Sequence, residues 1–329
     1  MYAGVKRKES SMKWVAWRQS RLELIIGLVV LAGLAALLVP IGLQQLSLFK
    51  NLGLATMSSN DAAYASLSQQ FLDSYPQWIN VIVNLSGVLL FIFGALLAVP
   101  IILEFEQRTY RLAWTQSITR KRWLLTKLGF ALVAAVVISA LYIILMTWFL
   151  GPLNSLTGEF NNFSQQGIVP VSYTVFGFAV ALAAGILSRR SSVGVIVAVV
   201  ACLVATTIAL PVLSHGLPLN YLKPLEEVSA FTLPTPIPGQ PGQDITVRIG
   251  ADLPVGSLVV SNYFIDASGN KVPIMQVRDS STGSPISQVT EYQPANRYWA
   301  FQGIEAFIFF GASIVLLYGS FLVIVRRSR

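Results

Sequence analysis

Six long apolar runs constrain this chain more than any other feature: residues 22–43, 78–103, 124–150, 171–187, 193–213 and 301–325. A helix rises 1.5 Å per residue, so crossing a hydrocarbon core of about 30 Å takes about 20 apolar residues, with a working range of about 17 to 25. All six runs reach that length, the fourth at its short limit. The second and third exceed it, so these two tilt or project beyond the bilayer. In hydrocarbon no water satisfies backbone N–H and C=O groups, and runs of this length meet that demand as helices. The composition agrees, with 54% hydrophobic and 12% charged residues, where soluble domains carry about 25% charged. The expected fold class is an all-α polytopic membrane protein with six transmembrane helices.

A formal net charge of +8 is a nucleic-acid signal only if the cations gather on one soluble surface, and here they follow the alternation of the spans. One side collects Lys6, Arg7, Lys8, Lys13, Arg18 and Arg21 before the first span, and Arg108, Arg111, Arg120, Lys121, Arg122 and Lys127 between the second and third. Arg189, Arg190, Arg326, Arg327 and Arg329 fall on the same side. The other side holds Lys50, Lys223, Arg248, Lys271, Arg278 and Arg297, together with most of the acids. The positive-inside rule places the first set, and both termini, in the cytoplasm. The expected partner is therefore the lipid bilayer and not a nucleic acid.

Four regions follow. Residues 1–21 interleave Trp14 and Trp17 with the cations, and read either as an interfacial helix at headgroup depth or as the ordinary basic flank of the first span. The first apolar run is longer than a signal-peptide core and no clear cleavage pattern follows it, so it reads as a retained span. Residues 22–213 carry spans one to five. Residues 214–298 form a large external loop, and 299–329 the sixth span and a basic tail. Within the loop, a Pro/Gly-rich coil at 233–242 precedes strand-like stretches at 245–249, 258–265 and 272–277, with residues 266–270 as a hairpin turn. The expected product is a small β-containing cap.

Catalytic and cofactor motifs are absent from the sequence. There is no Gly-x-x-x-x-Gly-Lys-Ser/Thr loop, no Gly-x-Gly-x-x-Gly, no His-Glu-x-x-His and no Gly-x-Ser-x-Gly, so neither a nucleotide cradle nor a zinc or serine hydrolase site is expected. Cys202 and His215 are each the sole residue of their kind, which excludes an intrachain disulfide and a thiolate metal cluster. The chain is expected to be neither an enzyme nor the holder of a cofactor or metal.

Inside the spans, Gly177, Ala181 and Gly185 recur every four residues. That is either a face on which a neighbouring helix approaches closely or the general abundance of glycine in membrane helices. Gly87 and Gly94 are spaced seven apart in the second span. Glu305 lies four residues into the sixth run, three from Gln302 on the same helical face, with Arg297 and Trp299 preceding them at the interface. An acid in a span has to face protein or water. These four residues read as a polar outer gate or a contact to the cap, or else Glu305 is a helix-start acid favoured by the dipole.

Residues 104–129 are a charged and aromatic island between two spans. Glu104 and Arg108 are spaced i to i+4, and Glu106, Tyr110 and Trp114 fall on one helical face at the same spacing, so a helix continuing from the second span would carry a salt-bridged side and an aromatic side. Ser117 or Thr119 can cap the next helix, which Arg120, Lys121, Arg122 and Trp123 then anchor at the headgroups. A plain positive-inside loop needs the cations but not this density of acids and aromatics, which points to a docking element.

These residues resemble the membrane subunits of type-2 ABC exporters, in particular those frequent in high-GC Gram-positive bacteria. The family pattern Glu-x-Glu-x-Gly-Thr, Arg-Leu-Ala-Trp-Thr-Gln-Ser, Arg-x-Arg-Trp and Lys is matched by Glu104, Glu106, Thr109, Arg111 to Trp114 and Ser117, Arg120, Arg122, Trp123 and Lys127. Arg108 stands where the family pattern has glycine. Residues 292–305, with Arg297, Trp299, Gln302 and Glu305, resemble the family's entry to its last span, and Trp14, Trp17, Arg18 and Gln19 its pre-span helix. The resemblance implies an N-terminal interfacial helix and a cytoplasmic coupling helix at 104–122, with Glu104, Glu106, Arg108, Thr109, Arg111, Trp114, Arg120 and Arg122 facing a separate ABC ATPase subunit that binds ATP and Mg. Residues 188–192 would make a minor second contact. It also implies a second permease protomer, identical or different, an export substrate that the sequence does not name, and a multi-pass location in the bacterial cell membrane. The competing reading is a non-transporting membrane receptor, sensor or immunity protein that uses its external loop. A proton-coupled transporter would need a titratable group at mid-membrane, and Glu305 lies too near the edge.

Overall fold

The computed structural model describes residues 2–58, 61–108, 119–204, 224–231, 253–266, 268–272 and 286–326. Its helices are α1 (Tyr2–Asn51), α2 (Tyr64–Asp73), α3 (Gln77–Glu106), α4 (Arg120–Thr157), α5 (Val169–Ser188), α6 (Ser191–Val204) and α7 (Tyr298–Arg326). Five of them are long and apolar enough to cross a membrane. The fifth apolar run starts as α6, and its remainder, residues 205–213, lies outside the described residues.

The boundary expected between residues 21 and 22 is not a break in secondary structure. α1 runs through it as one 50-residue helix, because no proline or glycine stands between Val5 and Ile26 to interrupt the backbone ladder. The N-terminal segment is therefore continuous with the first span instead of forming a separate interfacial helix. α2 was not anticipated. It is a 10-residue helix that buries Phe71 completely, edge-on to Phe49 at 5.3 Å and Tyr75 at 5.4 Å.

One compact unit contains residues 1–153, 162–210 and 299–329. Its central contact is α3 against α5. A Cβ on Gly94 would overlap the carbonyl oxygen of Thr174, and one on Gly177 the carbonyl oxygen of Phe91. The two backbones thus touch where neither residue has a side chain. Ala181 is fully buried, and Gly185 leaves room for the Ile102 side chain. Phe91 meets Gly177 and Ile102 meets Gly185, so α3 and α5 run parallel. Hydrogen bonds between buried hydroxyls tie α4 into the pair, one between Ser86 and Tyr142 at 2.7 Å and one donated by Ser139 to Thr174 at 2.8 Å.

The second unit contains residues 154–161 and 211–298. Four antiparallel strands, β1 (Leu225–Phe231), β2 (Leu258–Ile265), β3 (Lys271–Val272) and β4 (Ile286–Gln293), form a sheet in the order β1-β4-β2-β3. The 258–265 strand has the bounds expected from the sequence, and a register shift between Val259 and Ser261 marks a β-bulge. In the turn after it, Asp266 accepts hydrogen bonds from the Ser268 and Asn270 N–H groups. The Asn270 N–H is the main reason its carboxyl sits below the usual carboxylate range. The strand expected at 245–249 and most of that at 272–277 lie outside the described residues, while β1 and the central β4 were missed. In the same unit Gly158 lies against Gly256, backbone to backbone, both at φ +85°.

The glycines make a testable contrast. Gly94→Ala and Gly177→Ala each lower stability by about 1–3 kcal/mol through overpacking. Gly87→Ala, where a Cβ meets nothing within 4 Å, leaves it unchanged or slightly raised. Thermal unfolding of the three variants in one detergent checks the ranking.

Candidate functional site

The elbow between α3 and α4 is built from the ends of those two helices. α3 stops at Glu106, with the Gln107 N–H donating to the Leu103 carbonyl at 2.8 Å. Arg108 follows at φ +58°, in the left-handed region, which is the position that glycine commonly fills after a helix. Arginine takes the left-handed conformation here, where the resembling family pattern has glycine, at a conformational cost of roughly 1–2 kcal/mol. The helix expected to continue from span two through Trp114 therefore ends before Arg108, and the helical spacing offered to Glu104 and Arg108 is not kept. Thr109, Tyr110, Arg111, Trp114 and Ser117 lie outside the described residues. Arg120 opens α4, and Lys121 and Arg122 on its first turn are exposed.

Glu104 forms an ion pair with Lys127 of α4. Both side chains are largely buried, at 14% and 8% exposure, and the Lys127 ammonium also lies 4.9 Å from the centre of the Trp123 ring. Trp123 was expected at the headgroups. It is instead 4% exposed and packs edge-on to Phe105 at 5.8 Å. An interior lysine needs a carboxylate for its charge and an apolar lid for its stem, and Glu104 and Trp123 supply them. The two legs of the elbow are therefore stapled together, within one turn of the end of α3 and about two turns into α4.

Glu106 makes a different connection. Its carboxylate accepts from the Ser191 N–H at 3.0 Å and the Ser191 hydroxyl at 2.9 Å, so it caps α6 from another helix. Arg189 closes α5 in the left-handed conformation at φ +57°. The C-terminal end of α3 and the short link between α5 and α6 are thus held side by side. Sequence spacing gives no sign of this pairing, because the partners are 85 residues apart. For Lys127 a signal does exist in the sequence, since a lysine inside an apolar run requires an opposite charge at the same depth.

At the other end of the bundle, the Gln302 amide oxygen accepts from the Ile168 and Val169 N–H groups at 3.0 and 3.1 Å, and its nitrogen donates to the Phe163 carbonyl at 2.8 Å. One turn further along α7, Glu305 accepts a hydrogen bond from the Tyr173 hydroxyl. Tyr173 is stacked on Phe91 at 4.7 Å and edge-on to Phe309 at 5.0 Å. The structure therefore brings Gln302 and Glu305 onto α5. Arg297 belongs to the second unit, where it donates to Gln293 at 2.7 Å, and Trp299 is 66% exposed. Among the described residues no three His, Cys, Asp or Glu side chains gather as metal ligands.

The elbow staple carries a clear expectation. Glu104→Ala or Lys127→Ala alone strands a buried charge and lowers stability by about 3–5 kcal/mol, whereas the Glu104→Leu/Lys127→Met pair recovers most of the loss. Unfolding midpoints of the singles and the double variant measure the difference.

A family model described as ABC-2 membrane transporter related matches residues 28–214. No curated protein and no solved structure matches the chain. The matched stretch runs from α1 through the elbow and α6, and covers more than half of the sequence. With five helices long and apolar enough to cross a bilayer, the chain is an integral membrane protein of the ABC-2 membrane transporter related family, a permease component of an ABC transporter.

Proposed function

We propose that this chain is the membrane subunit of an ATP-driven exporter, which dimerises and couples ATP hydrolysis by a separate ATPase subunit to efflux of a substrate. The observation that supports this most is the stapled elbow within the family-matched region. A segment that transmits force needs legs that cannot splay, and the Glu104–Lys127 pair with Trp123 and Phe105 holds them. In this reading residues 109–118, with Thr109, Arg111 and Trp114, face the ATPase, and Arg120 and Arg122 flank them. Glu104 and Glu106 act behind that surface, carrying its displacement into α4 and α6. ATP and Mg sit on the partner subunit. Closure of two ATPase subunits shifts the equilibrium between inward-facing and outward-facing dimers because only one of those states lets both elbows follow. Both termini and the elbow lie in the cytoplasm of a bacterial cell, as the distribution of basic residues favours.

The test uses the full chain. Purified in mild detergent from its native host, it retains an ATPase bearing a Walker loop, and the pair reconstituted in vesicles hydrolyses ATP and moves substrate. Trp114→Ala or Arg111→Glu leaves membrane insertion intact, reduces ATPase retention and lowers transport per ATP by at least about tenfold, equivalent to about 1.4 kcal/mol of coupling. Unchanged retention and transport in both variants would overturn the assignment of the elbow.

A further inference from the structure

Two non-glycine residues among those described have positive φ, Arg108 at +58° and Arg189 at +57°. Both follow the ends of spans that pack on one another, α3 and α5. Glycine would hold either corner without strain, so what arginine adds at both is the guanidinium. Strained positions of this kind are kept where the side chain has a task.

The Glu106–Ser191 contact gathers the two corners. Arg108 lies two residues beyond Glu106, and Arg189 and Arg190 immediately precede Ser191, so three exposed arginines flank one hydrogen-bonded pair along the chain, with Arg190 close enough to Glu106 to act on its charge. Three arginines face one carboxylate, Glu106, which accepts both Ser191 donors on a single oxygen, so the group is net positive. Depth identifies what it meets. α5 has 20 residues, about 30 Å of helix, which matches the hydrocarbon core. With α5 spanning that core, Arg189 and Arg190 emerge at the level of the phosphates, and the Glu106–Ser191 contact brings Arg108 to the same level. Leu187, two residues before Arg189, is 59% exposed and offers acyl chains an apolar surface just below the charges. A guanidinium meets phosphate oxygens with two parallel N–H donors, a geometry that lysine lacks.

We propose that Arg108, Arg189 and Arg190 form a binding site for the phosphate of an anionic phospholipid headgroup. The site takes Arg108 out of the partner-facing set, and Arg189 and Arg190 out of the minor second contact, that the family resemblance implies. Bound lipid bridges the ends of α3 and α5 and holds the elbow at a fixed depth in the bilayer.

The assay needs no ATPase, so its outcome is independent of the exporter reading. Native mass spectrometry of the purified full chain, titrated with phosphatidylglycerol or phosphatidylcholine, reads the affinity for each lipid. The wild type prefers phosphatidylglycerol, and each Arg→Gln change at 108, 189 or 190 weakens that lipid by about fivefold without altering phosphatidylcholine binding. Arg189→Gly separates charge from fold: it relieves the strained corner, so its thermal midpoint is equal to or above that of the wild type, while its phosphatidylglycerol affinity falls as in the Gln variant. Full wild-type preference in the R108Q/R189Q/R190Q variant would overturn the proposal. So would complete displacement of phosphatidylglycerol by millimolar inorganic phosphate, which would assign the site to a soluble anion.

Discussion

The close approach of α3 and α5 at Gly94 and Gly177 is the contact on which the rest of the membrane unit depends. Lipid tails are as apolar as leucine, so helices in a bilayer gain little from burying hydrophobic side chains against each other, and the attraction comes from packing and from polar contacts. Backbone contact at these two glycines lets the helices run parallel along much of their length. At one end Glu106 then reaches Ser191. Further along α5, Tyr173 stacks on Phe91 and presents its hydroxyl to Glu305 of α7. A side chain at either glycine would push the backbones apart and loosen each of these contacts.

Polar ties are distributed along this frame according to depth. Mid-bundle, the ties are single hydroxyl pairs such as Ser86 with Tyr142 and Ser139 with Thr174. The ion pair of Glu104 and Lys127 lies at the elbow end, under Trp123. At the opposite end Gln302 satisfies two N–H groups at the start of α5 and one carbonyl of the preceding 3-10 segment, groups that hydrocarbon would leave unpaired. The parallel course of α3, α5 and α7 also carries a topological consequence. α6 starts beside Glu106, while α7 starts beside Ile168, so the chain regains the opposite end between them. The 14 residues of α6, about 21 Å, are the described part of that crossing.

Much of the frame is legible in the sequence. The apolar runs gave the membrane helices because runs of this length satisfy their backbone groups within themselves as helices. The Asp266 turn and the 258–265 strand followed from local turn chemistry and alternation. The site was legible by residue type more than by partner. Glu104, Glu106, Gln302 and Glu305 all drew attention as polar residues in or beside spans, yet Lys127, Ser191, Ile168 and Tyr173, the groups they engage, came from other helices. Trp123 was misplaced for a similar reason. Interfacial tryptophan is a statistical preference, and here the need to cover Lys127 outweighed it. β1 and β4 escaped notice because glutamates and glutamines interrupt their apolar pattern, and the pairing of Glu226 with Glu291 across the two strands is invisible in one dimension.

The sequence by itself determined the class of solution: spanning helices, a basic end, an elbow rich in acids and aromatics, and a polar loop with strands. Each of these is a local consequence of apolar length, charge or turn chemistry. Only the tertiary structure decided which polar groups engage each other and which backbones touch, since those depend on residues 23 to 139 positions apart in the chain. It also decided that Arg108 adopts the turn for which glycine would be the easy choice. A sequence shows that arginine stands there, but only the folded backbone shows that it takes the left-handed conformation directly after the end of α3.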